Sequence, residues 1–206
     1  MSTVVIETPR LILRELTRDD LDDLAALFAD PKVMRYIGDG ATKSRQESAQ
    51  LLERLLVNND RSWSAELLER LPQLRRSFER DAHFGPLATI CKDDGRFIGR
   101  CGLLAWDLDG RKEVEVGYMI ARSHWNRGLA TEAARAIRDY GFDTLDFDRL
   151  ISLIHRDNAA SQRVAVKNGM TFERETMVGT TPVVVYAIGR ADRDAAAAAA
   201  APAAGR

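Results

Sequence analysis

Three stretches of the chain hold residue types and spacings able to do chemistry. The first is "RSHWNRGLATEA", residues 122–133. It joins an apolar, β-patterned run, "VEVGYMI", to a helix-patterned run, "ATEAARAIRDYGF". The first turn of a helix leaves several N–H groups without partners. With the positive end of the helix dipole they attract an anion, most often phosphate. Gly128 has no Cβ, so a ligand can approach its backbone closely, and Ala130 keeps the same wall low. Arg122 and Arg127 add positive charge. No acidic residue lies between Tyr118 and Thr131. Taken alone, a turn glycine at a helix start explains the Arg-Gly pair equally well.

The second stretch is "HRDNAASQRVAVKNGM", residues 155–170. Asn158 follows a strand pattern, Ser161 comes three residues later, and Lys167-Asn168-Gly169 closes the helix pattern. Asn158 could equally cap that helix and Gly169 could terminate it. The third is the strand "EVEVGYMI" with two carboxylates. By strand alternation Glu113, Glu115 and Gly117 share one face, and Tyr118 lies on the other. A solvent-facing strand carboxylate is the competing reading for both acids.

The chain that must position these residues has 206 residues, 45% hydrophobic and 30% charged. That suits one domain, or one domain with an insertion. A net charge of −1 gives no global pull towards nucleic acid or an anionic membrane. No stretch approaches the ~20 apolar residues of a membrane span. The N-terminus lacks the pattern of a secretory signal, so a cytoplasmic protein is expected. Cys91 and Cys101 fall in apolar, strand-like surroundings without a CxxC. They read as reduced core thiols, with a nucleophilic role as the minority reading.

Periodicity gives the elements. "TPRLILREL" (8–16) alternates as a first strand. Thr17 then caps an acidic first turn and an amphipathic helix. A second helix covers 44–60, and two short helices meeting near Pro72 fit 61–82. From 87 onward the two turns Asp94-Gly95 and Asp109-Gly110 separate three antiparallel strands. Gly95, Gly99 and Gly102 read as turn and strand glycines. A helix from near Leu129 to Phe142, a strand at 149–155, a helix at 158–169 and two short strands complete the domain. The alanine-rich end, 191–206, is expected to be a mobile appendage. The result is a mixed α/β (α+β) sheet, not a regular doubly wound repeat.

Taken with "TPRLILREL" and "DGRFIGRCGL", the three stretches resemble the GNAT superfamily of N-acetyltransferases. The likeness is greatest to the ribosomal-protein-alanine acetyltransferase group and spans about residues 8–189. The superfamily signature Gln/Arg-x-x-Gly-x-Gly/Ala appears as Trp125-Asn126-Arg127-Gly128-Leu129-Ala130, with Trp at the Gln/Arg position. The resemblance implies a GNAT-like, largely antiparallel sheet flanked by helices and splayed between its fourth and fifth strands, "EVGYMI" and "RLISLIH". It implies acetyl-CoA as co-substrate and no metal. The pantetheine arm would bond to Met119 and Ile120, and the pyrophosphate to the amides of Arg127 to Ala130. The full expected cofactor set is Met119, Ile120, Arg122, Trp125, Asn126, Arg127, Gly128, Leu129, Ala130, Thr131, Asn158 and Lys167.

The implied chemistry is direct attack of an amine on the thioester, with a base to take the proton. The resemblance nominates Glu115, with Glu113 as rival. A backbone amide near Met119 or Ile120 would polarise the carbonyl. Many family members carry a tyrosine acid seven residues after the asparagine. Here Ala165 holds that place, and Ser161 is the substitute near the leaving thiolate, at little cost if lost. The implied partners are acetyl-CoA and an amine acceptor, either a small molecule or a protein N-terminus. No nucleic acid or membrane partner is expected, and a homodimer is left open. Residues 31–60 and the insertion 61–86 would shape the acceptor pocket, with Met34, Arg35, Tyr36 and Trp63 as lining candidates. A non-catalytic acyl-CoA sensor is one alternative function. An interaction protein built on 61–86 is another. The domain is expected to span 1–190, followed by the tail.

Overall fold

The computed structural model describes residues 3–59 and 83–200. The expected helices at 61–82, and Trp63 with them, lie outside the described residues. Two strands open the chain, β1 (Val4–Glu7) and β2 (Leu11–Arg14), paired antiparallel. Pattern reading ran one strand through 8–16. Instead Thr8 and Pro9 form a turn closed by Thr8 N donating to Leu11 O at 2.9 Å. The β-branched run Val4-Val5-Ile6 supplies the extra strand.

Thr17 begins a single 3-10 turn, Arg18–Asp20, and its amide donates to Asp20 Oδ2 at 2.8 Å. Helices α1 (Leu21–Ala29), α2 (Pro31–Met34) and α3 (Arg45–Asn59) follow. The hairpin strands are β3 (Pro86–Cys91), β4 (Phe97–Leu108) and β5 (Arg111–Ile120). Then come α4 (Leu129–Asp143), β6 (Arg149–His155), α5 (Ala159–Lys167), β7 (Thr171–Val178) and β8 (Thr181–Gly189). The last described element is α6 (Arg190–Ala200). The expected appendage is therefore helical as far as Ala200. Its first turn is tied to α4 because Arg193 bonds both Asp139 and Asp143. Those ion pairs supply what an alanine run cannot supply alone.

The eight strands form one sheet in the order β1-β2-β3-β4-β5-β6-β8-β7. Neighbours are antiparallel except β5 and β6. Helices cover both faces, so β5 is buried on both sides rather than alternating with solvent. On one face α4 buries Leu129, Ala133, Ala134, Ile137 and Phe142 against Val114, Val116 and Ile120. On the other, α1 to α3 bury Leu24, Phe28, Met34 and Leu52 with Ala88 and Met119. Even-numbered residues of β5 thus meet α4, and Met119 on the odd-numbered face meets α1–α3. Glu113, Glu115 and Gly117 share a face opposite Tyr118, as strand alternation requires.

Candidate active site

The parallel strands β5 and β6 pair only at Glu115 and Ile151. Side chains extend the junction slightly: Ser152 Oγ donates to Val116 O at 3.0 Å, and Leu153 N donates to Glu115 Oε1 at 3.4 Å. Beyond that point the strands diverge. The split lies between the fourth and fifth strands of the sequence reading, which are β5 and β6 here. Because the two strands end in helices on one face, a cleft of about 1160 Å3 passes through the sheet. Its wall includes the starts of α4 and α5 on one side and α2 with its following loop on the other.

On the α4–α5 side, the chain leaves β5 through a 3-10 turn, Arg122–His124, and enters α4 at Leu129. Asn126 (φ 59°) and Gly128 (φ 78°) are both left-handed. Gly128 is the residue flanking the helix start, which only glycine occupies without strain. The first intrahelical bond closes at Glu132, whose N donates to Gly128 O at 3.0 Å, so the amides before it remain available. Trp125, Asn126, Gly128, Leu129, Ala130 and Thr131 line the cleft. The Trp125 indole N–H donates to Ile120 O at 2.6 Å and pins the loop to the strand end. That bond gives a structural use for tryptophan at the signature's Gln/Arg position.

One carboxylate does sit in the first turn of α4, where it could oppose an anion. Glu132 is turned away: its oxygens accept from Thr8 Oγ1 (2.7 Å), Arg10 N (2.9 Å) and Arg10 Nε (2.6 Å). Burial pushes this acid up, but those bonds outweigh it and hold it below the ordinary glutamate range. Arg10 Nη1 also donates to Arg127 O at 2.8 Å, so the β1–β2 turn braces the loop from behind. Arg122 and Arg127 differ from the sequence expectation. Neither lines the cleft, and the fold brings acids to them: Asp30 at 3.6 Å from Arg122, and Asp93 at 3.2 Å from Arg127. The acid-free stretch in sequence is not acid-free in space. The cations that do line this side are Lys167 and Arg163, and Arg163 was not anticipated.

Asn158 caps α5, with Oδ1 accepting from Ser161 N at 3.1 Å, and it also lines the cleft. Cap and wall are thus compatible readings of one residue. Ser161 Oγ lies 2.6 Å from Tyr118 Oη, across the split. Tyr118 is a site residue that the sequence reading placed only on the opposite face from Glu115. Ala165 leaves α5 without a tyrosine, and the tyrosine hydroxyl beside Ser161 belongs to Tyr118 of β5. Burial pushes the Tyr118 phenol well above its ordinary value, only partly countered by the bond with Ser161.

On the other face, Glu115 is buried but lines the cleft. Burial raises its pKa to about 7, against opposing effects from the Trp106 indole, the Leu153 amide and Arg100. The Trp106 Nε1 donates to Glu115 Oε2 at 2.6 Å. The pairing was recoverable from sequence. The Asp109-Gly110 turn fixes Leu108 opposite Arg111, hence Leu104 opposite Glu115, with Trp106 on the diagonal. Glu113 does not line the cleft. It accepts from Arg149 Nε (3.1 Å) and Nη2 (3.3 Å), and Arg149 also pairs with Glu173 at 2.8 Å. Met119 and Ile120 both line the cleft. So do Arg35 and Tyr36, whereas Met34 is core.

The two cysteines are free and fully buried, as expected of core thiols. Burial pushes the Cys101 thiol far above its ordinary value, so it stays protonated. Among the described residues one group has metal-ligand character: Cys91, Asp94 and His124, with ligand atoms within 4.8 Å of one another. Both imidazole nitrogens of His124 already have neighbours there, Ser123 Oγ at 2.9 Å and Asp94 Oδ2 at 3.4 Å. Among the described residues, no helix is long and apolar enough to cross a membrane.

Residues 10–171 match the model of the acetyltransferase (GNAT) domain family. The uncharacterized protein YkkB of Bacillus subtilis (strain 168) is 33% identical over 87% of this chain and 92% of its own length. Spermidine N(1)-acetyltransferase of Escherichia coli (strain K12) is 25% identical over 80% of this chain and 75% of its own. Among solved structures, a GNAT-family acetyltransferase from Bacillus anthracis aligns with a TM-score of 0.69 at 22% identity, covering 92% of this chain and 98% of that one. A RimL ribosomal L7/L12 α-N-protein acetyltransferase in complex with coenzyme A aligns at 0.66 and 14% identity, covering 91% and 98%. With the family model spanning most of the chain, the protein belongs to the GNAT acetyltransferase family and is an acyl-CoA-dependent N-acyltransferase.

Proposed function

We propose that the protein transfers an acetyl group from acetyl-CoA to a primary amine of a small molecule or a protein N-terminus, by direct attack within the through-sheet cleft. The observation that carries this reading is the split itself. It puts a buried carboxylate on one face and a hydroxyl pair on the other, with one cavity connecting them. Acetyl-CoA would enter from the α4–α5 side, with its pyrophosphate on the amides of Arg127 to Ala130 and its pantetheine along Met119 and Ile120. Lys167 and Arg163 would meet its remaining phosphate charge.

The amine would approach from the α2 side. Its nitrogen lone pair forms the new C–N bond at the thioester carbonyl while Glu115, directly or through one water, takes the amine proton. The tetrahedral oxyanion would be met by a backbone amide near Met119 or Ile120. Its collapse breaks the C–S bond and releases the CoA thiolate towards Ser161 and Tyr118. The Arg149 pairing of Glu113 supports Glu115 rather than Glu113 in this role.

The test is an incubation of the protein with acetyl-CoA and a panel of primary amines, read by mass for acetylated product. An N-acetylated amine formed in proportion to CoA is expected; hydrolysis of acetyl-CoA with no acetylated amine overturns the reading. Ser161→Ala is expected to lower kcat by no more than about tenfold, since a thiolate leaves readily and the Tyr118 hydroxyl stays within reach. Adding Tyr118→Phe should deepen the loss. A larger effect of Ser161→Ala alone would mean that the serine itself delivers the proton.

A further inference from the structure

The acceptor side of the cleft has an unbalanced charge that points to the kind of amine it takes. Lys32 and Arg35, at α2, and Arg100, opposite Met119 on the β4–β5 hairpin, all line it. None of the three has an ion-pair partner among the described residues, whereas Arg122 and Arg127 just outside the cleft both have one. The Arg35 guanidinium lies 5.1 Å from the centre of the Tyr36 ring, and that ring lies 5.1 Å from His155. This stack holds an otherwise free cation at the mouth. Arg100 lies deeper, 5.7 Å over the Phe28 ring.

Two acids share the acceptor side, Asp39 and Glu115. Asp39 Oδ1 accepts from Ala41 N at 3.0 Å, and this exposed carboxylate offsets one of the cations. Glu115 takes the indole of Trp106 and the amide of Leu153 and shares an electrostatic attraction with Arg100, so the excess positive charge lies with Lys32 and Arg35. The loop after α2 also touches the start of β8, with Thr181 Oγ1 donating to Gly38 O at 3.3 Å. Lys32 and Arg35 line the same cleft as Glu115, so an acceptor held there meets their charge. A polycation would have to displace or repel both; a carboxylate would pair with them.

We infer that the acceptor is an amine that carries a carboxylate, held by Arg35 and Lys32 while its amino group reaches Glu115. This rests on the acetyltransferase reading above and narrows it. Free α-amino acids and peptides with an acidic residue near the N-terminus share the chemistry. Spermidine, the substrate in the name of one relative, does not.

The experiment measures kcat/KM with acetyl-CoA for four acceptors: glutamate, a peptide beginning with acidic residues, the same peptide with those residues amidated, and spermidine. A carboxylate-bearing acceptor should exceed its neutral counterpart and spermidine by at least about tenfold. Glutamate against the peptide tells which source supplies the carboxylate. Arg35→Glu should raise KM for the preferred acceptor by about tenfold or more, leave KM for acetyl-CoA unchanged, and narrow or invert the preference against spermidine. Arg35→Lys should retain most of the preference, which excludes a folding defect at this exposed position. Preferred turnover of spermidine by the wild type, or indifference of the preference to Arg35→Glu, overturns the charge assignment while leaving the transferase reading intact. No turnover of any amine overturns both.

Discussion

Glu115→Gln should lower kcat/KM by about 10²- to 10⁴-fold, the range lost when a positioned general base is removed, with acetyl-CoA affinity unchanged by calorimetric titration. The substitution is isosteric, and the amide oxygen can still accept the Trp106 indole N–H that the carboxylate takes at 2.6 Å. Two further readouts separate a base from a merely structural acid. Burial holds the carboxyl at about 7. Since the ionised form is the base, wild-type kcat/KM should climb as pH rises through about 7, and that limb should vanish in the variant. The second readout is stability. A carboxyl whose folded pKa is raised above 4.5 favours folding below that value, and this contribution is lost as pH rises to about 7. Above it the wild type bears the full cost of a buried charge, which the amide does not. The variant should therefore gain stability relative to the wild type across that window, by roughly 2–3 kcal/mol. Higher stability with lost turnover fits a charge kept for chemistry. Full activity in Glu115→Gln would remove Glu115 from the mechanism.

The sequence made the helix and hairpin framework legible because the signals were local. The two Asp-Gly turns fixed the β3–β4–β5 meander, and "RLISLIH" and its neighbours kept clean period-two or period-3.6 patterns. Face assignment on β5 followed from alternation alone and placed Glu115 correctly against Tyr118. What escaped was non-local. That Glu113 is paired with Arg149 depends on β6 lying next to β5, a crossover that no short-range pattern reveals. The charges of Arg122 and Arg127 looked unopposed because Asp30 and Asp93 lie far away in sequence. The Tyr118–Ser161 pair spans the split, so neither residue's own neighbourhood announces it. Asp30 and Arg35, at the two ends of α2, illustrate the same limit from opposite sides. One answers a distant arginine, and the other remains unanswered, and only the folded chain tells them apart. The C-terminal helix shows a smaller version: Arg193 reaches acids on α4 fifty residues away.

Gly99→Ala should be a severely damaging single-methyl change in the sheet, and Gly95→Ala is its internal control. Both glycines have positive φ, 151° at Gly99 and 68° at Gly95. At Gly95, the hairpin turn, an added Cβ meets nothing within 4 Å. The cost there is conformational, about 1 kcal/mol. Gly99 stands at the bulge where the β3–β4 register slips, and its other edge is pressed against β5. A Cβ there would lie 2.0 Å from Met119 O and 3.0 Å from Ile120 Cα. Both obstacles are backbone, so no rotamer change relieves them, and β4 and β5 must separate. A loss of at least about 3 kcal/mol follows, from the clash added to the backbone strain. For a chain of this size that is a Tm lower by roughly 6–12 °C, against roughly 2–4 °C for Gly95→Ala. Separation at this point also moves Ile120, whose carbonyl anchors the Trp125 indole. Acetyl-CoA binding should therefore weaken in Gly99→Ala at temperatures where the variant is still folded, and stay intact in Gly95→Ala. Equal losses in the two variants would mean that φ alone carries the cost. Unaltered acetyl-CoA binding in a folded Gly99→Ala would mean that the end of β5 can shift without disturbing the loop proposed to receive the cofactor.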